Sequence, residues 1–180
     1  MRYLCRILSL FLCLLAIIPA ARAEESVTPF ASGLSTATDF IEQASSTVQD
    51  VLISALALTG TPYKYGGKSP ETGFDCSGFV KYVFQQAANL TLPHGARAIS
   101  QLGKSIPVDQ LQPGDLVFFN TLKSAFSHVG IYIGDNRFVH APSSGGGVHV
   151  VNMTDSYWAK RFNGARRIEP DAPLPAASAE

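Results

Sequence analysis

The sequence predicts an α+β domain with N-terminal helices packed on an antiparallel β-sheet. Three observations carry this. Apolar residues recur at helical steps in the first half of the chain, short strand-like runs bounded by turn residues fill the second half, and the length suits one domain with a sizeable core. The domain is expected to span residues 49–169.

Residues 1–23 follow the three-part plan of a secretory signal peptide: Arg2 and Arg6, an apolar run from Ile7 to Ile18, then Pro19 and the small-residue pattern Ala21-Arg22-Ala23. The run is shorter than the roughly 20 residues that cross a bilayer, so export to the periplasm or cell envelope is expected, without stable membrane insertion. Cys13 follows Phe11 and Leu12, where a lipoprotein signal requires small residues. Residues 24–48 form a Ser-, Thr- and Ala-rich flexible arm and the start of a helix. That helix covers 39–58, with Ile41, Ala44, Val48, Val51, Leu52, Ala55 and Leu56 at helical spacing, Thr36 and Asp39 as a capping box, and Gly60 and Pro62 ending it.

A glycine-punctuated loop from Tyr63 to Gly73 leads into a second helix, whose period runs through Phe79, Val80, Val83, Phe84 and Ala87 and fades at Asn89. Leu92-Pro93-His94-Gly95 breaks the chain before a weaker helix from Ala96 to Leu102. The turn Gln112-Pro113-Gly114-Asp115 then feeds Leu116–Phe119, and further strands are expected at Val129–Ile133, Phe138–His140, Val148–Val151 and Gly164–Ile168. The Pro- and Ala-rich tail, 170–180, reads as disordered.

Lys and Arg together number 14, as do Asp and Glu. Loss of residues 1–23 would take three arginines and no acid, leaving a mildly acidic chain without a basic stripe and therefore a poor nucleic-acid binder. It would also remove Cys5 and Cys13 and leave Cys76 alone. A lone thiol in an exported protein either pairs between molecules or is kept for reactivity.

Cys76 stands where the loop becomes the second helix. First-turn amides and the helix dipole favour an anion, so the thiol is expected to ionise more readily than in free peptide, provided the Asp75 carboxylate turns away to cap the helix. A base is available at His128 and a third polar group at His140. Their relation depends on the turn between them. A two-residue turn at Asp135-Asn136 pairs Ile131 with His140 and separates the rings, whereas a three-residue turn from Gly134 to Asn136 pairs Gly130 with His140 and puts both rings on one face. The odd-length turn is expected, with the side-chain-free Gly130 leaving room between the rings and for the cysteine helix on that face. His128 then takes the thiol proton and returns it to a leaving amine, and His140 orients His128. The Cys76 amide and the Tyr63 hydroxyl are candidate oxyanion donors.

These residues fall in successive motifs: Tyr63-x-x-Gly66-Gly67, Phe74-Asp75-Cys76-Ser77-Gly78-Phe79-Val80, Leu111-x-Pro113-Gly114-Asp115-Leu116-Val117-Phe118-Phe119, Ser127-His128-Val129-Gly130-Ile131-Tyr132-Ile133-Gly134, Phe138-Val139-His140-Ala141-Pro142 and Tyr157-Trp158-x-x-Arg161-Phe162-x-Gly164-Ala165-Arg166-Arg167. In this order they resemble the NlpC/P60 family of bacterial cell-wall cysteine peptidases over residues 61–168. The resemblance implies a papain-like core and hydrolysis of the γ-D-glutamyl to diamino-acid bond of peptidoglycan stem peptides. It also implies Cys76 as nucleophile, His128 as base, His140 as third polar member and Tyr63 beside the thiol; Asp75, Ser77 and Ser127 stand beside these as further oxyanion or substrate-contact candidates. Leu92-Pro93-His94-Gly95 departs from the family's Leu-Pro-Arg followed by a hydroxyl residue.

No cofactor is implied, a monomer is expected, and a regulatory protein partner is compatible with the reading. A zinc site of Cys76, His128 and His140 lacks a well-spaced fourth ligand. A catalytically silent peptidoglycan-binding scaffold and an acyl transferase or deacylase remain as alternatives. His149 reads as a solvent-facing or edge strand residue, Tyr157, Trp158 and Phe162 as core plugs, and Lys160, Arg161, Arg166 and Arg167 as a solvated basic patch.

Overall fold

The computed structural model describes residues 45–121, 124–144 and 146–169. The expected signal peptide, the 24–38 arm, the Thr36–Asp39 capping box and the tail lie outside the described residues.

Helix α1 is described over 45–57 and α2 spans Cys76–Ala88, followed by the single turn α3, Ala96–Ile99. A two-stranded ribbon, β1 (Lys68–Ser69) and β2 (Gly73–Phe74), precedes α2. The main sheet contains β3 (Lys104–Ile106), β4 (Leu116–Phe119), β5 (His128–Gly134), β6 (Arg137–His140), β7 (His149–Asn152) and β8 (Phe162–Arg167), with the short helix α4 (Ser156–Ala159) before β8. Its strand order is β3-β8-β4-β5-β6-β7 and every pairing is antiparallel. The expected α+β architecture is what forms. Among the described residues, no helix is long and apolar enough to cross a membrane.

Helix α2 has a cap at each end. The Asp75 carboxylate accepts the Gly78 amide at 2.7 Å, and the helix stops at Asn89, whose φ of 52° takes the left-handed conformation that releases the chain. Between the caps, Phe79, Val80 and Val83 are fully buried, and each such side chain contributes about 1.5–3 kcal/mol through removal from water. They pack with Val51 and Ala55 of α1 against Leu116, Phe118, Val129, Ile131 and Val139 on one face of the sheet. Val117, Phe119, Tyr132, Phe138 and Ala165 point the other way and form a second core with Trp158. The alternation along β4 thus serves two cores, and all four of its residues are buried.

The ribbon β1–β2, strand β3 and helix α4 were not expected. The two-residue strands are too short to show a period, and Lys104-Ser105-Ile106 is a mostly polar edge strand held to β8 by backbone pairing. Tyr157 corrects the core-plug expectation: it is 48% exposed, whereas Trp158 is 9% exposed. The solvated basic patch is corrected for its arginines, while Lys160 is exposed as expected. Arg161 stacks its guanidinium 3.9 Å from the Tyr157 ring centroid, Arg166 donates to the Ser100 carbonyl at 2.6 Å, and Arg167 forms a two-pronged pair with the buried Asp115 at 2.7 and 2.8 Å.

The β5–β6 hairpin reaches the expected parity by another route. Its turn has two residues, Asp135 and Asn136, both at positive φ (50° and 57°), and Gly134 pairs with Arg137. Between that pair and Tyr132–Phe138 the register slips by one, leaving Ile133 as an extra residue on β5. Beyond the bulge, Ile131 pairs with Val139, which brings Gly130 opposite His140. The three-residue turn was therefore wrong, and a bulge supplies the odd residue.

Candidate active site

The first turn of α2 is held against the preceding loop. Asp75 Oδ1 accepts the Gly78 amide and the Ser77 hydroxyl (2.9 Å), and Oδ2 accepts the Gly66 amide at 3.1 Å. The loop approaches so closely that a Cβ on Gly78 would lie 2.0 Å from the Gly67 carbonyl oxygen, so no other residue fits there. Asp75 acts as the expected cap. The Ser77 hydroxyl is turned back onto that cap.

Cys76 is the free cysteine of the described residues and is half-buried. The backbone amides of Val129, Ser77 and Cys76 itself donate toward its sulfur. The first-turn amides thus act as expected, and the neighbouring sheet adds the Val129 N–H. Burial nevertheless outweighs these donors and pushes the thiol up to about 11, with the Asp75 charge adding to the rise. The expectation of a readily ionised thiol is corrected on this point. The Tyr63 hydroxyl is pushed above its ordinary value first by burial and then by Cys76 and Asp75, which places it in the electrostatic neighbourhood of the sulfur. Its backbone is held by a Tyr63 N–H bond to the Gly146 carbonyl and a bridge to Phe74.

His128 and His140 lie on one face, with His128 Nε2 2.8 Å from His140 Nδ1 and the rings nearly perpendicular. Gly130, between them along the face, is tightly enclosed: a Cβ there would meet the Phe138 ring at 2.6 Å and His140 Cβ at 3.2 Å. The absent side chain makes room for Phe138 and His140. It does not make room for α2, which packs its apolar residues on the opposite face, so that part of the expectation is also corrected. Trp158 stacks on His128 at 5.6 Å and meets His140 edge-on at 4.9 Å. Burial holds both imidazoles neutral. It pushes His128 down to about 4 against the opposing Asp75 charge, and it pushes His140 lower still, with His128 and His149 adding to the effect.

Ser127 lies outside this cluster of interactions. Its hydroxyl accepts the Thr121 amide at 2.8 Å and braces the loop before β5. His94 is exposed, with Nε2 3.4 Å from Lys81 Nζ. Among the described residues, no group of three His, Cys, Asp or Glu side chains converges to hold a metal ion. Sequence reasoning missed the Val129 amide, which has no side-chain signature, and the ring of His149 behind His140.

A helix that starts at Cys76, set against an antiparallel sheet that carries a hydrogen-bonded pair of histidines, is a papain-like α+β architecture. The chain belongs to the NlpC/P60 family, whose model matches residues 60–167. It is 46% identical over 109 residues to the murein DD-endopeptidase MepS/murein LD-carboxypeptidase of Escherichia coli K12, covering 61% of this chain and 56% of that protein. It is 42% identical over 120 residues to the gamma-DL-glutamyl hydrolase of Bacillus subtilis 168, covering 66% of this chain and 29% of that one. Among solved structures, the NlpC/p60 domain of peptidoglycan hydrolase SagA aligns with a TM-score of 0.59 at 32% identity, covering 67% of this chain and 98% of the domain. The chain spans about a third to just over half the length of the first curated relatives it matches.

Proposed function

We propose that this protein is an exported peptidoglycan hydrolase that cleaves the γ-D-glutamyl to diamino-acid amide bond of stem peptides through a thioester on Cys76. The reading rests above all on one juxtaposition: a thiol at the α2 N-terminus that accepts the Val129 amide, next in the strand to His128, whose Nε2 is held by His140. With Nε2 occupied, His128 Nδ1 is the nitrogen left to take the thiol proton.

The resting pair is neutral, because burial raises the thiol and lowers the imidazole. Proton transfer therefore accompanies attack on the carbonyl, as Sγ bonds to the carbonyl carbon and His128 becomes imidazolium. The oxyanion accepts the Cys76 amide and the Tyr63 hydroxyl. Collapse expels the amine with the His128 proton, and water, deprotonated by His128, releases the acid and the thiol. His140 orients His128, while Asp75 and Ser77 hold the first turn in place.

A second reading is favoured by the relatives named murein DD-endopeptidases, at 38% and 46% identity. In it the same machinery cuts the D,D cross-link between stems. Incubation with uncross-linked tetrapeptide stems and with cross-linked dimers, followed by mass spectrometry, separates the two. New amines on the diamino acid of single stems support γ-D-glutamyl cleavage, and conversion of dimers to intact monomers supports the second reading. Folded protein that changes neither, or that hands the acyl group to an added amine, would point to the scaffold or transferase alternatives.

A further inference from the structure

Hydrogen-bond logic at the two imidazoles reaches a third. For His128 Nδ1 to act as a base, His128 Nε2 must carry its hydrogen and donate to His140 Nδ1. A neutral His140 then carries its own hydrogen on Nε2. That atom is fully buried and has no hydrogen-bond partner within the described protein, and an unanswered buried donor is unfavourable enough to tip a tautomer equilibrium.

Four rings surround His140: His128, Phe138, Trp158 and His149. Phe138 has no lone pair, the Trp158 nitrogen only donates, and His128 Nε2 is already engaged. His149 differs. It sits directly across the β6–β7 ladder from His140, and the rings stand 4.9 Å apart at 64°. Its Nδ1 lies 2.8 Å from the Gly147 carbonyl. A carbonyl only accepts, so Nδ1 carries the hydrogen and the neutral ring keeps its lone pair on Nε2. His149 is half-buried and borders an open depression lined by Thr59, Gly60 and Gly146–Val148, so its ring can tilt about the Gly147 contact toward His140. The same segment is fastened to the Tyr63 loop through Val148 N–H to Thr61 and Tyr63 N–H to Gly146.

We propose that His149 is a positioning residue whose Nε2 accepts the His140 Nε2–H and so fixes the tautomers that leave His128 Nδ1 free as a base. The consequence for turnover rests on the hydrolase reading above, whereas the consequence for the tautomers does not. The test is 15N spectroscopy of labelled histidines in the wild type, His149→Val and His149→Gln, alongside kinetics on stem peptides. Wild type should show His140 and His128 both protonated at Nε2. His149→Val should move both toward Nδ1–H and lower kcat about tenfold at unchanged KM, and His149→Gln, whose amide oxygen accepts, should recover most of both. Wild-type His140 protonated at Nδ1, or a His149→Val protein with unchanged 15N pattern and kcat, would overturn the proposal. Folded wild type without turnover would defeat the hydrolase reading alone, because the 15N pattern still decides the role of His149.

Discussion

Asp115 and Arg167 join the start of β4 to the end of β8 as a charged pair whose demands are met: two short guanidinium bonds, a third bond from the Gln112 amide, and an Arg167 side chain 31% exposed that keeps its charge partly in water. His128 and His140, one strand away, are buried with a single mutual hydrogen bond, neutral, and with one nitrogen unanswered. Both are polar pairs on the same sheet with at least one buried member. The first resolves its electrostatics and fixes geometry, while the second keeps them unresolved and retains the capacity to take a charge during a reaction. The contrast predicts that removing a member of the first pair costs stability and that removing a member of the second costs rate.

Cys76→Ala should sharpen this most, with hydrolysis of stem peptides falling at least about a thousandfold while the melting temperature stays within a few degrees. A loss of folding comparable to the loss of activity would mark the residue as structural. His128→Ala should lower kcat by about a hundredfold or more, and His140→Ala by less, since orienting a base matters less than being one. Wild-type activity in His128→Ala would end the mechanism. Asp115→Ala should leave kcat near wild type but destabilise by about 2–3 kcal/mol, toward the low end for a broken buried pair because Arg167 can turn to solvent. Chemical denaturation measures it, and an Asp115→Ala enzyme that is stable but slow would erase the distinction between the pairs.

The neutral histidines also set a pH dependence. An unfolded chain takes up a proton on His128 near pH 6.5 while the folded one does so only near 4, so stability falls as pH drops through that window, by about 3 kcal/mol from His128 alone. Denaturant titrations between pH 7 and 4 check this. The raised thiol acts at the other end. Iodoacetamide labelling of Cys76 should be slow at neutral pH and climb with its midpoint near pH 11, whereas fast labelling independent of pH between 5 and 8 would reveal a resting thiolate–imidazolium pair and overturn the neutral one.

The helix start, Asp75 as its cap, Cys76 and the face-sharing of the two histidines were legible because each depends on local chemistry or on period-two alternation. What escaped depends on surroundings. No string of residues discloses how far burial outweighs helix-terminal amides, and it is burial that inverts the expected behaviour of Cys76. His149 was legible only as an alternating strand residue. Recognising it behind His140 requires the β6–β7 register, and the Ser143–Val148 connection carries too much glycine to fix that register from sequence. The arginines of β8 looked available because their partners, Asp115 and the Ser100 carbonyl, lie far away along the chain.

The surplus residue at Ile133 makes the β5–β6 hairpin tip an unusual place for length variation. Surface hairpin tips usually absorb single-residue insertions and deletions without harm. Here length and shape are coupled: deleting Ile133 would remove the bulge and leave Tyr132–Phe138 and Ile131–Val139 paired as they are, whereas straightening the strand with Ile133 kept would pair Ile131 with His140 and turn His140 toward the helices. A variant without Ile133 should therefore keep both imidazoles on one side of the sheet, and a variant of full length whose kink is ironed out should part them.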